Sequence, residues 1–192
     1  MTKPIVGVLA LQGAVEPHRK HIEAAGGEFR AVKTAEQFAE VDAFIIPGGE
    51  STTMLSLIKR FDLWDVLAKE FAKKPVWGVC AGTILMAKTV KNPAQKSFAL
   101  LPITVERNGY GRQLQSQHDV VEGYPVSFIR APLIENAGDV SVYASRNDTP
   151  VWVQKDQYMA TTFHPELTRN YPSPMHETFI NLVNHYTAGA AI

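Results

Sequence analysis

Residues 75–85 read PVWGVCAGTIL, and how this stretch is read decides the fold. Pro75 to Val79 form a short apolar run of strand character, and the residues from Ala81 onward resume an apolar pattern that suits a helix. Between them stands Gly78-Val79-Cys80-Ala81-Gly82, a Gly-x-Cys-x-Gly turn in which small neighbours permit a sharp, strained bend that exposes the central side chain. A helix starting at Ala81 would aim its free N–H groups and the positive end of its dipole at the sulfur, which favours thiolate. By itself the pattern leaves two readings open. Cys80 is either an inert core thiol, since free cysteine is among the most buried residue types, or a reactive nucleophile.

The same texture extends outward from this stretch. IVGVLAL (5–11) and AFIIP (43–47) are further short apolar runs, the kind buried on both faces of a parallel sheet. Helical patterns separate them: Pro17 to Ala25 ending at Gly26-Gly27, Thr52 to Arg60, and Leu63 to Ala72. Alternating strands and helices predict right-handed crossovers and a mostly parallel central sheet with helices on both faces, in which ligands sit beyond the carboxyl ends of the strands.

From about residue 100 to 163 the pattern shifts to short strand segments with turn signals: ITVER, VSFIRAP, VSVYA and VWVQKDQYMATTF. Some antiparallel strands are expected there, including a hairpin around Lys155-Asp156-Gln157. A last helix starts near Ser173-Pro174, with serine as N-cap, and presents Phe179, Val183 and Tyr186 on one face. The fold class is therefore α/β, a three-layer flavodoxin-like arrangement, and residues 1–192 read as a single domain.

Composition narrows the function. Lys plus Arg and Asp plus Glu balance at 19 each, so no global field favours nucleic acid or an anionic membrane. No apolar run approaches the roughly 20 residues needed to span a bilayer. Met1-Thr2-Lys3-Pro4 leads into a strand rather than a signal peptide, so a cytoplasmic location is expected. One cysteine makes no intrachain disulfide, and no Cys/His cluster has structural zinc spacing. Neither a metal nor a cofactor is expected.

Two other stretches bear on Cys80. TTFHPEL (161–167) offers His164 and Glu166, two residues apart across Pro165, as a base and a group to orient it. Without a partner the same residues would be a solvated turn. IIPGGESTTM (45–54) is a strand, a glycine turn and a helix start. Gly48-Gly49 can present backbone N–H groups to an oxyanion, with Ser51 or Thr52 capping the helix; the alternatives are a phosphate-binding turn or an ordinary capped connection. The stretch lacks the Gly-Lys-Ser/Thr ending of a P-loop.

Together these segments resemble the class I, triad-type glutamine amidotransferases. LALQGAVEPH (9–18), PGGESTTM (47–54), CAG (80–82), VERNGYGRQ (105–113), FIRAP (128–132) and FHPELT (163–168) resemble, in order, the glutaminase-subunit family of pyridoxal 5′-phosphate synthases, over about residues 5 to 187. The resemblance implies Cys80 as nucleophile, His164 as acid/base and Glu166 as the group orienting it. It further implies that Gly49, Glu50 and Ser51 contact L-glutamine, and that the oxyanion is held at Gly49 and the Ala81 N–H. Arg107, Ile129 and Arg130 match glutamine-contacting positions, and a guanidinium suits the α-carboxylate of free glutamine. Gln12 and Gly48 match loops near the site. Thr83 departs from the family pattern, where a larger apolar residue is commoner, and the stretch 89–100 looks short.

The implied reaction is hydrolysis of glutamine to glutamate and ammonia through a cysteine thioester. The implied partner is a barrel-type synthase subunit, in a large hetero-oligomer, that builds pyridoxal 5′-phosphate from ribose 5-phosphate and glyceraldehyde 3-phosphate. In the resembled family, activity stays low until that subunit docks. Two other classes share the scaffold: a cysteine hydrolase or glyoxalase, against which the His-Pro-Glu tripeptide and the arginine motifs argue, and a non-catalytic binding subunit, which would be expected to lose a triad member.

Overall fold

The computed structural model describes residues 2–109 and 117–189. The end of the VERNGYGRQ motif, residues 110–113, lies outside the described residues. The first half runs β1 (Ile5–Leu9), α1 (His18–Ala24), β2 (Glu28–Val32), α2 (Ala35–Ala39), β3 (Ala43–Ile46), α3 (Ser51–Arg60), α4 (Trp64–Phe71), β4 (Val76–Val79) and α5 (Ala81–Met86). Then follow β5 (Ala87–Lys91), β6 (Leu101–Glu106), β7 (Gln117–Val121), β8 (Tyr124–Phe128) and β9 (Leu133–Asn136). β10 (Ser141–Arg146), β11 (Thr149–Lys155), β12 (Tyr158–Thr161) and α6 (Pro174–Gly189) complete the order.

The main sheet is ordered β10-β11-β12-β4-β3-β1-β2. Its five parallel strands, numbered along the chain, run 2-1-3-4-5, the flavodoxin-like order. β10 and β11 extend it antiparallel at the β12 edge, and Lys155 pairs with Tyr158 around the expected hairpin turn, where Asp156 takes φ 50°. Two small sheets, β5-β6-β9 and β7-β8, lie outside the main one.

The sheet divides the core into two layers even though its central strands are apolar on both faces, because successive side chains still point to opposite sides. Phe44, Ile46 and Val76 pack with Met54, Ile58, Leu67, Phe71 and Leu85 of α3, α4 and α5. Ala43, Ile45, Trp77 and Val79 pack with Ile22 of α1 and with Met175, Phe179 and Val183 of α6. Burying one such large side chain stabilises by about 1.5–3 kcal/mol, so these two layers hold the sheet between its helices.

Several local expectations shift. The first strand stops at Leu9 rather than residue 11, because the chain must turn at Gly13, φ 102°, where a Cβ would lie 2.1 Å from the Gly48 carbonyl oxygen. β2 and α2 were not anticipated; α2 starts in a capping box, Thr34 accepting from the Gln37 N–H while Gln37 accepts from the Thr34 N–H. α3 is capped by Glu50, not by Ser51 or Thr52: its carboxylate accepts from the Thr52 N–H at 3.3 Å and the Thr53 N–H at 2.8 Å. The strand expected over 126–132 ends at Phe128, since Arg130 takes φ 43°. The last helix begins as expected, with the Ser173 hydroxyl accepting from the His176 N–H at 3.1 Å, and Phe179 and Val183 are buried while Tyr186 is half-buried.

Candidate active site

The carboxyl ends of β1, β3, β4 and β12 converge on one cleft of about 420 Å³. Gln12, Gly48, Gly49, Glu50, Ser51, Cys80, Ala81, Arg107, Ile129, Arg130 and His164 all line it, so of the sequence-predicted site residues only Glu166 stands behind the wall. Ala14, Ile84, Asn108 and Leu167 also line it and carried no expected role, though Ala14, Asn108 and Leu167 lie inside the quoted motifs.

Cys80 occupies a strained turn. It takes φ 51° and ψ −103° between β4 and α5, a conformation that costs a non-glycine residue on the order of 1–3 kcal/mol. The surroundings fix it there. The Cys80 N–H donates to the Thr161 carbonyl at 2.8 Å, and the Thr83 hydroxyl lies 2.7 Å from the same carbonyl and 3.0 Å from that of Gly78. Thr83, the departure from the family pattern, is thus a buried polar clamp holding the turn to β4 and β12.

The two glycines of the pattern have separate reasons. A Cβ at Gly82 would lie 2.0 Å from the Ile46 carbonyl oxygen, so α5 can approach β3 this closely only without a side chain. A Cβ at Gly78 would lie 2.6 Å from the Gly82 carbonyl, across the elbow itself.

His164 follows β12 and is held by two backbone bonds to Ser127 of β8, at 2.8 and 3.3 Å. Its Nδ1 lies 2.7 Å from Glu166 Oε1, and both residues are buried, at 7% and 2% exposure. Burial lowers the imidazole's pKa, but the neighbouring Cys80 sulfur and the Glu166 carboxylate outweigh it and push His164 up to about 10. Glu166, despite burial, is held below the usual carboxylate range by its hydrogen bond to His164 and by the nearby His18 ring. The Cys80 sulfur lies 3.7 Å from the Ile129 carbonyl oxygen.

The glycine turn after β3 is pinned from both sides. Gln12 Oε1 accepts from the Glu50 N–H at 2.8 Å, and the Gly48 carbonyl accepts from the Ala14 N–H at 2.9 Å. Across a trans peptide the Gly49 N–H then points away from Ala14. A Cβ at Gly48 would lie 2.2 Å from His164 Cε1, and one at Gly49 would lie 2.4 Å from Gln12 Oε1, so both glycines are required by close approach.

The two arginines are placed differently. Arg107 Nη2 donates to Thr52 Oγ1 at 2.9 Å and to Glu50 Oε1 at 3.3 Å, so its guanidinium and the Glu50 carboxylate are already engaged with one another and with α3. Arg130 is exposed at the rim and has no ion-pair partner among the described residues. The Ser51 hydroxyl donates to Gln95 Oε1 at 3.2 Å. Among the described residues no cluster of three or more His, Cys, Asp or Glu is arranged to hold a metal ion. No helix among them is long and apolar enough to cross a membrane.

A thiol at a strained elbow, an imidazole held protonated, and a buried carboxylate on the far ring nitrogen can together generate a thiolate and move one proton to a leaving group. Comparisons with known proteins point the same way. Residues 8–185 match the model of the SNO glutamine amidotransferase family. The chain is 44% identical to a pyridoxal 5′-phosphate synthase subunit PdxT of Solibacter usitatus, over 92% of this chain and 97% of that protein. It is 43% identical to the subunit of the same name from Kosmotoga olearia, over 91% and 95%. A crystal structure of a glutamine amidotransferase superposes with a TM-score of 0.83 at 37% identity, covering 93% of this chain and 98% of that one.

Proposed function

The chain belongs to the SNO glutamine amidotransferase family, and from that membership we propose that it is the glutaminase subunit of a pyridoxal 5′-phosphate synthase, releasing ammonia from L-glutamine for vitamin B6 biosynthesis. It works as one domain in the cytoplasm, docked on a barrel-type synthase subunit within a larger hetero-oligomer. The observation that carries the catalytic reading is the 2.7 Å contact of the buried Glu166 with His164, which lines the same cleft as the strained Cys80.

The steps follow from the groups present. Cys80 thiolate attacks the side-chain amide carbon of glutamine, forming a C–S bond and moving the carbonyl electrons onto oxygen. The Gly49 and Ala81 N–H groups hold that oxyanion. As the C–N bond breaks, the His164 imidazolium gives its proton to the leaving nitrogen, and ammonia departs from a γ-glutamyl thioester. His164, now neutral, takes a proton from water as that water attacks the thioester. Breaking the C–S bond releases glutamate and restores the thiolate–imidazolium pair.

Glu166 keeps Nδ1 protonated and the ring aimed, so that Nε2 carries the transferred proton. Arg130, the uncommitted guanidinium, receives the substrate α-carboxylate, while Arg107 and Glu50 brace the start of α3 beside it. Ser51, Ile129 and the backbone at Gly48 and Gly49 shape the remaining wall. Gln12 acts on the oxyanion turn through its bond to the Glu50 N–H. Ammonia escaping into neutral water would mostly become ammonium, which is no nucleophile, so the synthase subunit must receive it directly.

The test is glutamate release from glutamine by this chain alone and after mixing with the synthase subunit, with Cys80→Ala as blank. Release that appears or rises on mixing and is absent from the blank is expected. Binding of the two proteins with no glutamate from either sample would overturn the catalytic reading.

A further inference from the structure

Glu166 uses only one of its oxygens on His164. Oε1 accepts from the ring, while Oε2 is buried without a hydrogen-bond partner among the described residues. A carboxylate oxygen left bare in an interior is costly, on the order of 1–3 kcal/mol or more for a charged group, and it leaves the carboxylate anchored through one oxygen alone. A second buried atom in the same interior shares this condition: Nε2 of His18, the first residue of α1 and fully buried. The His18 ring is the next electrostatic neighbour of Glu166 after its bond to His164.

The other nitrogen of His18 is committed. Nδ1 lies 2.9 Å from His176 Nε2, and His176 Nδ1 lies 2.6 Å from the Ser173 hydroxyl. Both imidazoles are kept neutral, as burial in this apolar layer disfavours their charged forms. A chain of two neutral imidazoles and one hydroxyl has only two proton orderings. In one, Ser173 O–H donates to His176 Nδ1, His176 Nε2–H donates to His18 Nδ1, and His18 carries its remaining proton on Nε2. In the other every donor is reversed and His18 turns a bare lone pair toward a carboxylate. Charge on Glu166 selects the first.

We propose that His18 is a positioning residue for the triad, its Nε2–H satisfying Glu166 Oε2 and its tautomer fixed through His176 by Ser173. The structure leaves the two atoms unbonded, so this pairing is the step beyond it, and it rests on the catalytic reading of Cys80, His164 and Glu166 given above. With both oxygens bonded, the carboxylate plane is set, and the Oε1 contact that orients His164 is held through the reaction. The ring at 18 touches neither substrate nor reacting atoms. Its effect reaches kcat only through Glu166.

Two substitutions separate positioning from packing. His18→Gln keeps a donor near the Nε2 position and an acceptor for His176; His18→Leu fills similar space with neither. Glutamine turnover is measured in complex with the synthase subunit. His18→Gln should retain kcat within about threefold. His18→Leu should lower it about tenfold or more, with KM for glutamine unchanged, as befits loss of a hydrogen bond to a charged group. Thermal stability measured in parallel removes packing from consideration, since a packing role would have kcat follow stability rather than hydrogen-bonding capacity. If His18→Leu folds and turns over like the native chain, the proposal fails.

A measurement on the unsubstituted protein covers the case in which the leucine variant does not fold. Imidazole nitrogen chemical shifts should show His18 neutral with its proton on Nε2; a proton on Nδ1 would overturn the relay. Cys80→Ala separates this proposal from the reading beneath it. Native turnover that vanishes in Cys80→Ala but survives in His18→Leu defeats the positioning role alone. No turnover in the native complex, with Cys80 inert to a glutamine-mimicking electrophile, defeats both.

Discussion

Two groups of buried histidines lie along the same carboxylate, and burial has opposite outcomes in them. His164, at 7% exposure, is pushed up to about 10, whereas His18, at 0%, is pushed down to about 4. Desolvation acts on both in the same direction. His164 escapes it because a carboxylate oxygen stands 2.7 Å from Nδ1 and a cysteine sulfur faces it, while His18 Nδ1 meets another imidazole at 2.9 Å and its ring meets Trp77 edge-on. The charge of a buried histidine is therefore decided by what its nitrogens touch, and one fold uses both outcomes side by side.

The largest way to break this contrast is to remove the sulfur. Cys80→Ala should reduce glutamate release by about 10⁴-fold or more, as loss of the attacking group does in other triads, while the chain still binds the synthase subunit. Glutamine turnover and a binding assay on the same sample check both halves. Next is Glu166→Gln, which keeps the shape and removes the charge. It should lower kcat on the order of 10³-fold and let the His164 pKa fall back toward its ordinary value, followed by ring-proton NMR against pH.

The third prediction uses stability instead of rate, and its signs differ on the two sides. His18 has a folded pKa below its unfolded one, so the stability it permits is complete above about pH 6.5 and declines as pH falls toward 4, because the unfolded chain takes up the proton. His164 is the reverse: its contribution is complete below pH 6.5 and is lost as pH rises through about 10. His18→Leu should shrink the loss of unfolding free energy between pH 6.5 and 4 by about 3 kcal/mol, and leave the alkaline limb in place. Urea midpoints across that range measure it. The smallest expected effect is Ser173→Ala, which removes the α6 cap and the hydroxyl on His176, and should cost about 1 kcal/mol of stability by the same titrations.

The two histidine groups also differ in how readable they were. Cys80, His164 and Glu166 sit in short local motifs that mark them as candidates, and the order of those motifs along the chain carries the resemblance that implies their roles; the same holds for the glycine turn at 48 and 49. The histidines at 18, 21 and 176 are scattered, each in a helical pattern that gives no reason to group them; only the α1–α6 packing does so, stacking His21 on His176 at 4.5 Å. The parallel strands were legible because runs such as AFII and VWGV are apolar throughout. β2 was not, since EFRAV buries only Phe29 and Val32 and alternates weakly, though the Thr34-Ala35-Glu36-Gln37 capping signature beside it was there to be used. The cap of α3 went to Glu50 because a longer carboxylate reaches two N–H groups that Ser51, already inside the helix, cannot.

The parallel pairing of β4 with β12 has a consequence in time. It sets Trp77 beside Met159 and Val79 beside Thr161, the Trp77 indole N–H donates to the Thr161 hydroxyl 84 residues away in the chain, and the return of that late strand brings His164 to the cleft that Cys80 lines. A chain emerging from the ribosome carries its thiol elbow long before the imidazole that would charge it exists, and such distant strand contacts are among the slowest to form. Under the proposed mechanism, a nascent chain would gain glutamine hydrolysis only once the segment after its last strand has been added.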